Sequence, residues 1–437
     1  MKTEVRVAIT GAGWAGCAAA VEATRLGHHV TVFEASRTAG GRARRLDFVH
    51  SGQTVRLDNG QHILIGAYAE TLKLMADVGV DVNTALHRMP LTMQMPNGSG
   101  LNLPSADYLP APLNALVGIL RAKGWSWADK FSLLKTTTLW QLRKFQCLPH
   151  QSVANLCIGI SQPVMSSLIE PLCVSALNTP ADRASGQVFL RVLRDSLFSV
   201  SGGSNLLLPR VDLTALLPDA ALAWLSARGG QVSLGVRVQS IQPAADGRWQ
   251  LTGGADADLG TFDNVILACP PVDAARLARS SALPLDDWLT LTENLHYEAI
   301  ATVYAMSPGT RLAQPMLALP SSPAYPAQFV FDRGQLDGPA GLLAFVISAS
   351  QQTSADLQPL IAAQAATQLG INDLLMLQTV VEKRATFACT PGLTRPNQRI
   401  APGLLACGDY VNGPYPATLE GAVRSGMEVA RLVHGNK

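Results

Sequence analysis

Long apolar runs are missing from this chain of 437 residues: none approaches the ~18 consecutive apolar positions that span a bilayer. A surplus of positive charge is missing too. Lys and Arg number 34 against 32 Asp and Glu, a formal +2, which excludes the broad cationic field that gathers nucleic acid. Charge of either sign is thin, at 15% of residues against roughly 25% in ordinary soluble domains. The seven cysteines (17, 147, 157, 173, 269, 389 and 407) are odd in number and contain no CxxC pair. That speaks against a disulfide framework and a sulfur-bound zinc, and for reduced thiols in the cytoplasm. The strand-like run Val5-Arg6-Val7-Ala8-Ile9 starts so early that no secretory leader is expected before it.

What is present is apolar. Hydrophobic residues make up 48% of the chain, and the mean hydropathy is +0.17. The length allows two domains with separate cores. A large buried α/β core accounts for this composition; so does an apolar substrate collected from a membrane.

The first third reads as a strand (Val5 to Thr10), a glycine turn, an Ala-rich helix (Trp14 to Leu26) closed by Gly27, and a strand (His29 to Glu34). Gly11-Ala12-Gly13-Trp14-Ala15-Gly16 is a GxGxxG turn in the strand–turn–helix context that a dinucleotide needs. Gly11 permits the turn, Gly13 lets the backbone approach a pyrophosphate, and Gly16 lets helix and strand pack closely. Unpaired N–H groups at the helix start, around Trp14 and Ala15, face the phosphates. Glu34, followed by Ala35, is placed for the ribose. Gly40-Gly41-Arg42-Ala43-Arg44 has no use in a simple NAD domain, whereas a GGR stretch here covers the pyrophosphate of two-dinucleotide flavoproteins, with Arg42 as a cationic fork. Near the far end, Leu404 to Asp409 and then Thr418-Leu419-Glu420-Gly421-Ala422 match a second flavin signature. There Gly408 and Asp409 meet the ribityl chain, and a helix from Leu419 aims its positive end at the flavin pyrimidine. Two signatures at opposite ends of the chain imply FAD.

Between them the pattern changes. Residues from about 85 to 225 carry amphipathic helical stretches broken by Pro90, Pro104, Pro110, Pro149 and Pro163. Strands are expected at Gln231 to Ile241, Asn264 to Ala268, Ala299 to Tyr304 and Leu342 to Ile347, with a helix near Ala355 to Leu369. The expected fold is α/β: a discontinuous two-dinucleotide-binding, Rossmann-like FAD domain (1–84, 205–284 and 386–437) with an inserted α+β substrate domain (85–204 and 285–385).

Leu57-Asp58-Asn59-Gly60-Gln61-His62-Ile63 places a glycine turn that resembles the segment passing the flavin ring in amine-oxidase-like flavoproteins. Asn59, Gly60, Gln61 and His62 are therefore cofactor candidates. Together with Glu170-Pro171-Leu172-Cys173, Ala176-Leu177-Asn178-Thr179-Pro180, Val192-Leu193-Arg194-Asp195 and Leu207-Leu208-Pro209-Arg210, the chain resembles the amine oxidase and phytoene desaturase superfamily. Within it, the likeness is to the hydroxysqualene dehydroxylase family over essentially the whole length. The resemblance implies an amine-oxidase-like or p-hydroxybenzoate-hydroxylase-like fold and an FAD-dependent oxidoreductase acting on CH or CH2 groups. It also implies adenine contact through the backbone of Val238, in the strand after Gly229-Gly230. The implied reaction removes the hydroxyl of hydroxysqualene to give squalene, in hopanoid synthesis. The leaving oxygen takes a proton from a general acid, an allylic cation forms, and reduced flavin N5 delivers hydride in a dry apolar site. An electron donor of unknown identity must recharge the flavin.

Glu170, Asp195, His62 and Tyr410 are candidates for that acid. Glu170 and Asp195 also read as partners of Arg191 or Arg194 that hold the inserted domain together, and His62 as a histidine hydrogen-bonded in a turn. Two rival enzymes remain. An amine oxidase usually has an aromatic where Thr418 stands and a lysine in the strand that here runs Ala299 to Ala305. A carotenoid-type desaturase would run the same flavin chemistry oxidatively in a similar tunnel. A lipid-binding flavoprotein without turnover is the non-enzymatic reading. Residues 111 to 134, with Trp125, Trp127, Arg121, Lys123 and Lys130 among apolar neighbours, suit either peripheral contact with the cytoplasmic membrane or an ordinary core helix.

Overall fold

The computed structural model describes residues 5–50, 52–105, 109, 112–199 and 201–433. Pro110 and Ala111, named above, lie outside them. Arg6–Thr10 runs at the centre of a six-stranded sheet, parallel to His29–Glu34 on one side and to Asn264–Leu267 on the other. Gln231–Leu234 and Leu404–Ala406 extend the parallel sheet outward, and Arg399–Ala401 closes one edge antiparallel.

Its central strands carry unbroken apolar runs, Val7-Ala8-Ile9 and Val265-Ile266-Leu267, because both faces are covered. Val7, Ile9 and Ile266 pack into one core with the helices Trp14–Arg25, Pro218–Ser226 and Leu419–Ala430. Ala8, Val265 and Leu267 point the other way, toward Trp249, Leu251 and Phe262 of a three-stranded antiparallel sheet. Small residues set the spacing between the first and last helices. A Cβ on Gly426 would lie 2.1 Å from the Ala15 carbonyl oxygen.

The second sheet is antiparallel, in the order Met316–Ala318, Phe329–Asp332, Leu342–Ser348, Tyr297–Met306 and Leu375–Phe387. Alternation divides its faces. Val303, Val330, Phe345 and Ile347 pack with Leu357 and Ile361 of the helix Ser354–Gln364, whereas Met316, Phe329, Phe331 and Val346 face inward. Gly186–Arg194 passes into a π-helical turn, Asp195–Ser199, and another π turn, Met165–Ile169, precedes Glu170–Leu177.

Two expected elements divide. The strand expected over Gln231 to Ile241 is two strands in different sheets, Gln231–Leu234 and Ser240–Pro243, because Gly235 turns the chain at φ +75°. Val238 is thus in a loop rather than a strand. The helix expected to reach Leu369 leaves α geometry after Gln364, continues as a π turn over Ala365–Leu369, and stops at Gly370 with φ +70°. Among the described residues no helix is long and apolar enough to cross a membrane.

Candidate active site

The glycine turn is built as the spacing requires. Gly11 adopts φ +114°, and a Cβ there would lie 2.7 Å from the Ala268 carbonyl oxygen. On Gly16 it would lie 2.0 Å from the Gly11 oxygen, so Gly16 packs behind the turn instead of lining the site. Gly13 differs: its backbone has φ −73°, and a Cβ would meet nothing closer than the Gly41 Cα at 3.9 Å. That open space, over a helix start with no side-chain cap, is a cradle of the kind that fits a pyrophosphate.

Gly40 N–H donates to the Ala12 carbonyl at 2.8 Å, and Trp14 Nε1 donates to the Ala43 carbonyl at 3.1 Å, so the GGR segment is clamped across the turn. The Glu34 carboxylate accepts from Ala12 N–H and Ser36 N–H, both at 2.7 Å, which fixes it at the end of its strand. Arg42 joins the two ends of the chain: Nη2 donates to Asp409 Oδ1 at 2.5 Å and Nη1 to the Ala385 carbonyl at 2.7 Å. Asn59 Nδ2 donates to Glu382 and to the Arg42 carbonyl. Thr418 Oγ1 accepts from Gly421 N–H and caps the last helix. In that helix the buried Glu420 carboxylate accepts from the N–H groups of Glu70 and Thr71, the Thr71 hydroxyl and Arg424 Nε. This network fixes the helix with its start toward the cavity.

A cavity of about 790 Å³ runs between these pieces. Apart from Gly16, every cofactor candidate borders it, from Gly11, Glu34 and Val238 to Asn59, Gly408 and Ala422. The open cradle, the ribose-side carboxylate and two helix starts converging on one cavity fit FAD. Its other reach is apolar, bordered by Leu91, Met93, Leu172, Met316, Phe329 and Phe331.

The proton-donor candidates separate. Glu170 is exposed at the start of its helix and does not border the cavity, which removes it from the reacting region. His62 borders the cavity with Nδ1 2.9 Å from the Gly60 carbonyl, and burial together with nearby Arg42 holds its pKa below the usual histidine range. It is neutral near pH 7, with Nδ1–H donating and Nε2 left as an acceptor. Tyr410 is buried, its hydroxyl has no hydrogen-bond partner among the described residues, and burial pushes its pKa well above the tyrosine range. Asp195 borders the cavity and receives Arg194 Nε at 2.7 Å and the Tyr415 hydroxyl at 2.9 Å. The first of these is the Arg194 pairing read from the sequence.

Other residues on the cavity wall carry no motif. Tyr297 is an example: burial pushes its pKa up to about 12, and its hydroxyl lacks a partner among the described residues. Glu382, Arg384 and Thr386 come from the last strand of the second sheet, and Tyr415 from the loop before the last helix. Only the alternation of Glu382 and Arg384 along a strand hinted that both face one side. Where the sequence lacks a lysine, Thr302 stands beside the Gly60 turn, its hydroxyl accepting from Gln61 N–H at 3.4 Å.

A model of the family described as flavin containing amine oxidoreductase matches residues 14–434. Hydroxysqualene dehydroxylase of Rhodopseudomonas palustris is 28% identical, across 98% of this chain and 98% of its own length. A 15-cis-phytoene desaturase of an Oncidium hybrid cultivar is 24% identical, across 99% of this chain and 78% of its own. The crystal structure of an oxidoreductase from Methanosarcina mazei shares the fold, with a TM-score of 0.73 over 98% of this chain and all of that one, at 18% identity. The chain therefore belongs to the flavin-containing amine oxidoreductase family, as an FAD-dependent oxidoreductase with hydroxysqualene dehydroxylases and phytoene desaturases among its relatives.

Proposed function

We propose that this protein removes the hydroxyl group of hydroxysqualene reductively, giving squalene. One observation carries the reading: the cavity that begins at the dinucleotide cradle continues into an apolar chamber, and the Asp195–Tyr415 pair stands on its wall. An apolar isoprenoid with one hydroxyl needs that combination. The full-length likeness to a hydroxysqualene dehydroxylase supports it.

In this reading the segments 1–84, 205–284 and 386–437 hold FAD, and 85–204 with 285–385 hold the substrate. Gly13 and the helix start at Trp14 receive the pyrophosphate, Glu34 and Ala35 the ribose, and Val238 the adenine. Arg42 and Asp409 bracket the middle of the cofactor, while Asn59 to His62 and Thr418 to Ala422 flank the ring. Bound in its reduced form, FAD supplies the hydride that replaces the departing hydroxyl.

Asp195 gives one proton to the leaving oxygen of the substrate hydroxyl, and Arg194 with Tyr415 holds the carboxylate that remains. One proton and one hydride convert C–OH to C–H and release water, so the step balances. The negative charge of Asp195 faces the allylic cation, and the apolar wall excludes the water that would trap it.

A phytoene-type desaturase is the second reading, favoured by the same apolar chamber; its hydrocarbon substrate gives Asp195 nothing to bind. A substrate panel separates the readings. Reduced holoprotein should convert hydroxysqualene to squalene, and oxidised holoprotein should leave phytoene and putrescine unchanged. Desaturation of phytoene without loss of hydroxysqualene would replace this proposal with the second reading.

A further inference from the structure

Nine of the fourteen large apolar side chains exposed among the described residues lie between positions 113 and 158. Leu113, Leu116 and Leu120 share one face of the helix Leu113–Arg121, at spacings of three and four residues. Trp127, Phe131 and Leu142 share the outer face of Trp127–Leu142, with Trp127 73% and Phe131 67% exposed. The inner face of the same helix buries Leu133, Thr136 and Trp140 in the core. A helix apolar on both sides has its outer side facing something other than water. The two helices are locked together: Lys130 Nζ donates to the Leu120 carbonyl at 2.8 Å and lies 5.0 Å from the Trp127 ring.

Charge identifies what covers this face. From 113 to 148 the chain carries six cations and a single anion, Asp129, in a protein whose net charge is +2. Asp129 is engaged in the capping box of Ser126. Arg121, Lys123, Lys135, Arg143 and Lys144 are exposed, and none forms an ion pair among the described residues. Exposed Trp and Phe at headgroup depth, ringed by unpaired cations, match an anionic bilayer surface.

We propose that the outer face of Leu113–Arg121 and Trp127–Leu142 docks onto a bilayer containing anionic phospholipid and draws the substrate from it. The patch is connected to the cavity. The first helix packs through Gly118 against Leu101 and Leu103, and the hairpin strand paired with Leu101 leads from Leu91 and Met93, which border the apolar chamber. The docking face thus backs onto the strands that wall the chamber, and withdrawal of the substrate from the bilayer rests on the isoprenoid reading given above.

The test uses full-length, FAD-loaded protein and substrate-free vesicles, so that it stands apart from the reaction. Binding to phosphatidylcholine vesicles containing phosphatidylglycerol should exceed binding to pure phosphatidylcholine by about tenfold and should fall with added salt. Trp127→Ser with Phe131→Ser should lower binding about tenfold at unchanged FAD content. Lys135→Glu with Arg143→Glu, which touches no buried contact, should remove the preference for phosphatidylglycerol and keeps the test valid should the first variant fail to fold. Wild-type protein that ignores both vesicles yet turns over detergent-dispersed hydroxysqualene would overturn the docking alone. So would a dimer that the Trp127/Phe131 variant splits, with no vesicle binding. Protein that binds vesicles as described but leaves hydroxysqualene unchanged would support the docking and overturn the reaction.

Discussion

Tyr415 donates a 2.9 Å hydrogen bond to Oδ2 of Asp195, a residue 220 positions away in the chain. Arg194 takes the other carboxylate oxygen, and Asp195 opens a π-helical turn, a distortion that often marks functional positions. Asp195→Asn keeps the size and removes the charge, so kcat should fall by roughly 10² to 10⁴ with FAD content and thermal midpoint unchanged. Tyr415→Phe removes one hydrogen bond to a charged group and should cost about tenfold. Steady-state kinetics at saturating hydroxysqualene checks both. Full activity in Asp195→Asn would remove the pair from the mechanism.

The two glycines of the first turn should respond differently to the same methyl group. Gly16→Ala meets backbone at 2.0 Å and should yield little folded protein. Gly13→Ala meets only Gly41 Cα at 3.9 Å. It should fold and melt like the wild-type apoprotein, yet bind FAD far more weakly, because the methyl occupies the cradle. Differential scanning calorimetry and flavin absorbance separate the two outcomes; a yellow Gly13→Ala protein would contradict the cradle.

This contrast shows what the sequence makes legible. Both signature turns need glycine for reasons of backbone geometry, and their strand–turn–helix context is local, so the α/β fold and FAD follow from short windows. Long-range placement is different. Nothing local tells Asp195 from Glu170, since both lie beside apolar helices; packing turns one into the cavity and the other to solvent. Tyr297, Glu382 and Tyr415 reach the cavity wall from two strands and a loop whose orientation depends on pairing and packing with segments distant in the chain. The interruption of Gln231 to Ile241 is legible only as Gly235, a residue that strands sometimes tolerate.

Arg42 and Asp409 lie 367 positions apart and tie the first glycine-rich segment to the last. Asp409→Ala leaves the guanidinium short of its carboxylate and should weaken FAD binding by about 2 kcal/mol, or roughly 30-fold in Kd. Arg42→Lys keeps the charge but cannot reach both Asp409 and the Ala385 carbonyl, so it should also bind more weakly. Titration of apoprotein with FAD measures each. Wild-type affinity in both variants would contradict the bracket.

Asp58 sets a pH dependence. Burial raises its pKa from an ordinary 3.8 to about 6, against the Leu213 N–H bond and nearby Arg333. The folded state thus holds this proton more tightly than the unfolded chain. Its contribution to stability is full below the unfolded value and is lost as pH rises through about 6. Asp58→Asn retains an acceptor for Leu213 and cannot ionise. Relative to wild type it should gain about 2 kcal/mol between about pH 4 and about pH 7, read from denaturant unfolding at both. A constant difference would show that the carboxyl ionises freely in the folded protein.

The most direct test of the proposed reaction is one anaerobic turnover. The purified holoprotein is photoreduced, hydroxysqualene is added, and flavin absorbance is followed alongside the lipid products. The expected result is reoxidation of the flavin with one equivalent of squalene formed. A flavin that stays reduced, with hydroxysqualene untouched, would contradict the dehydroxylase reading.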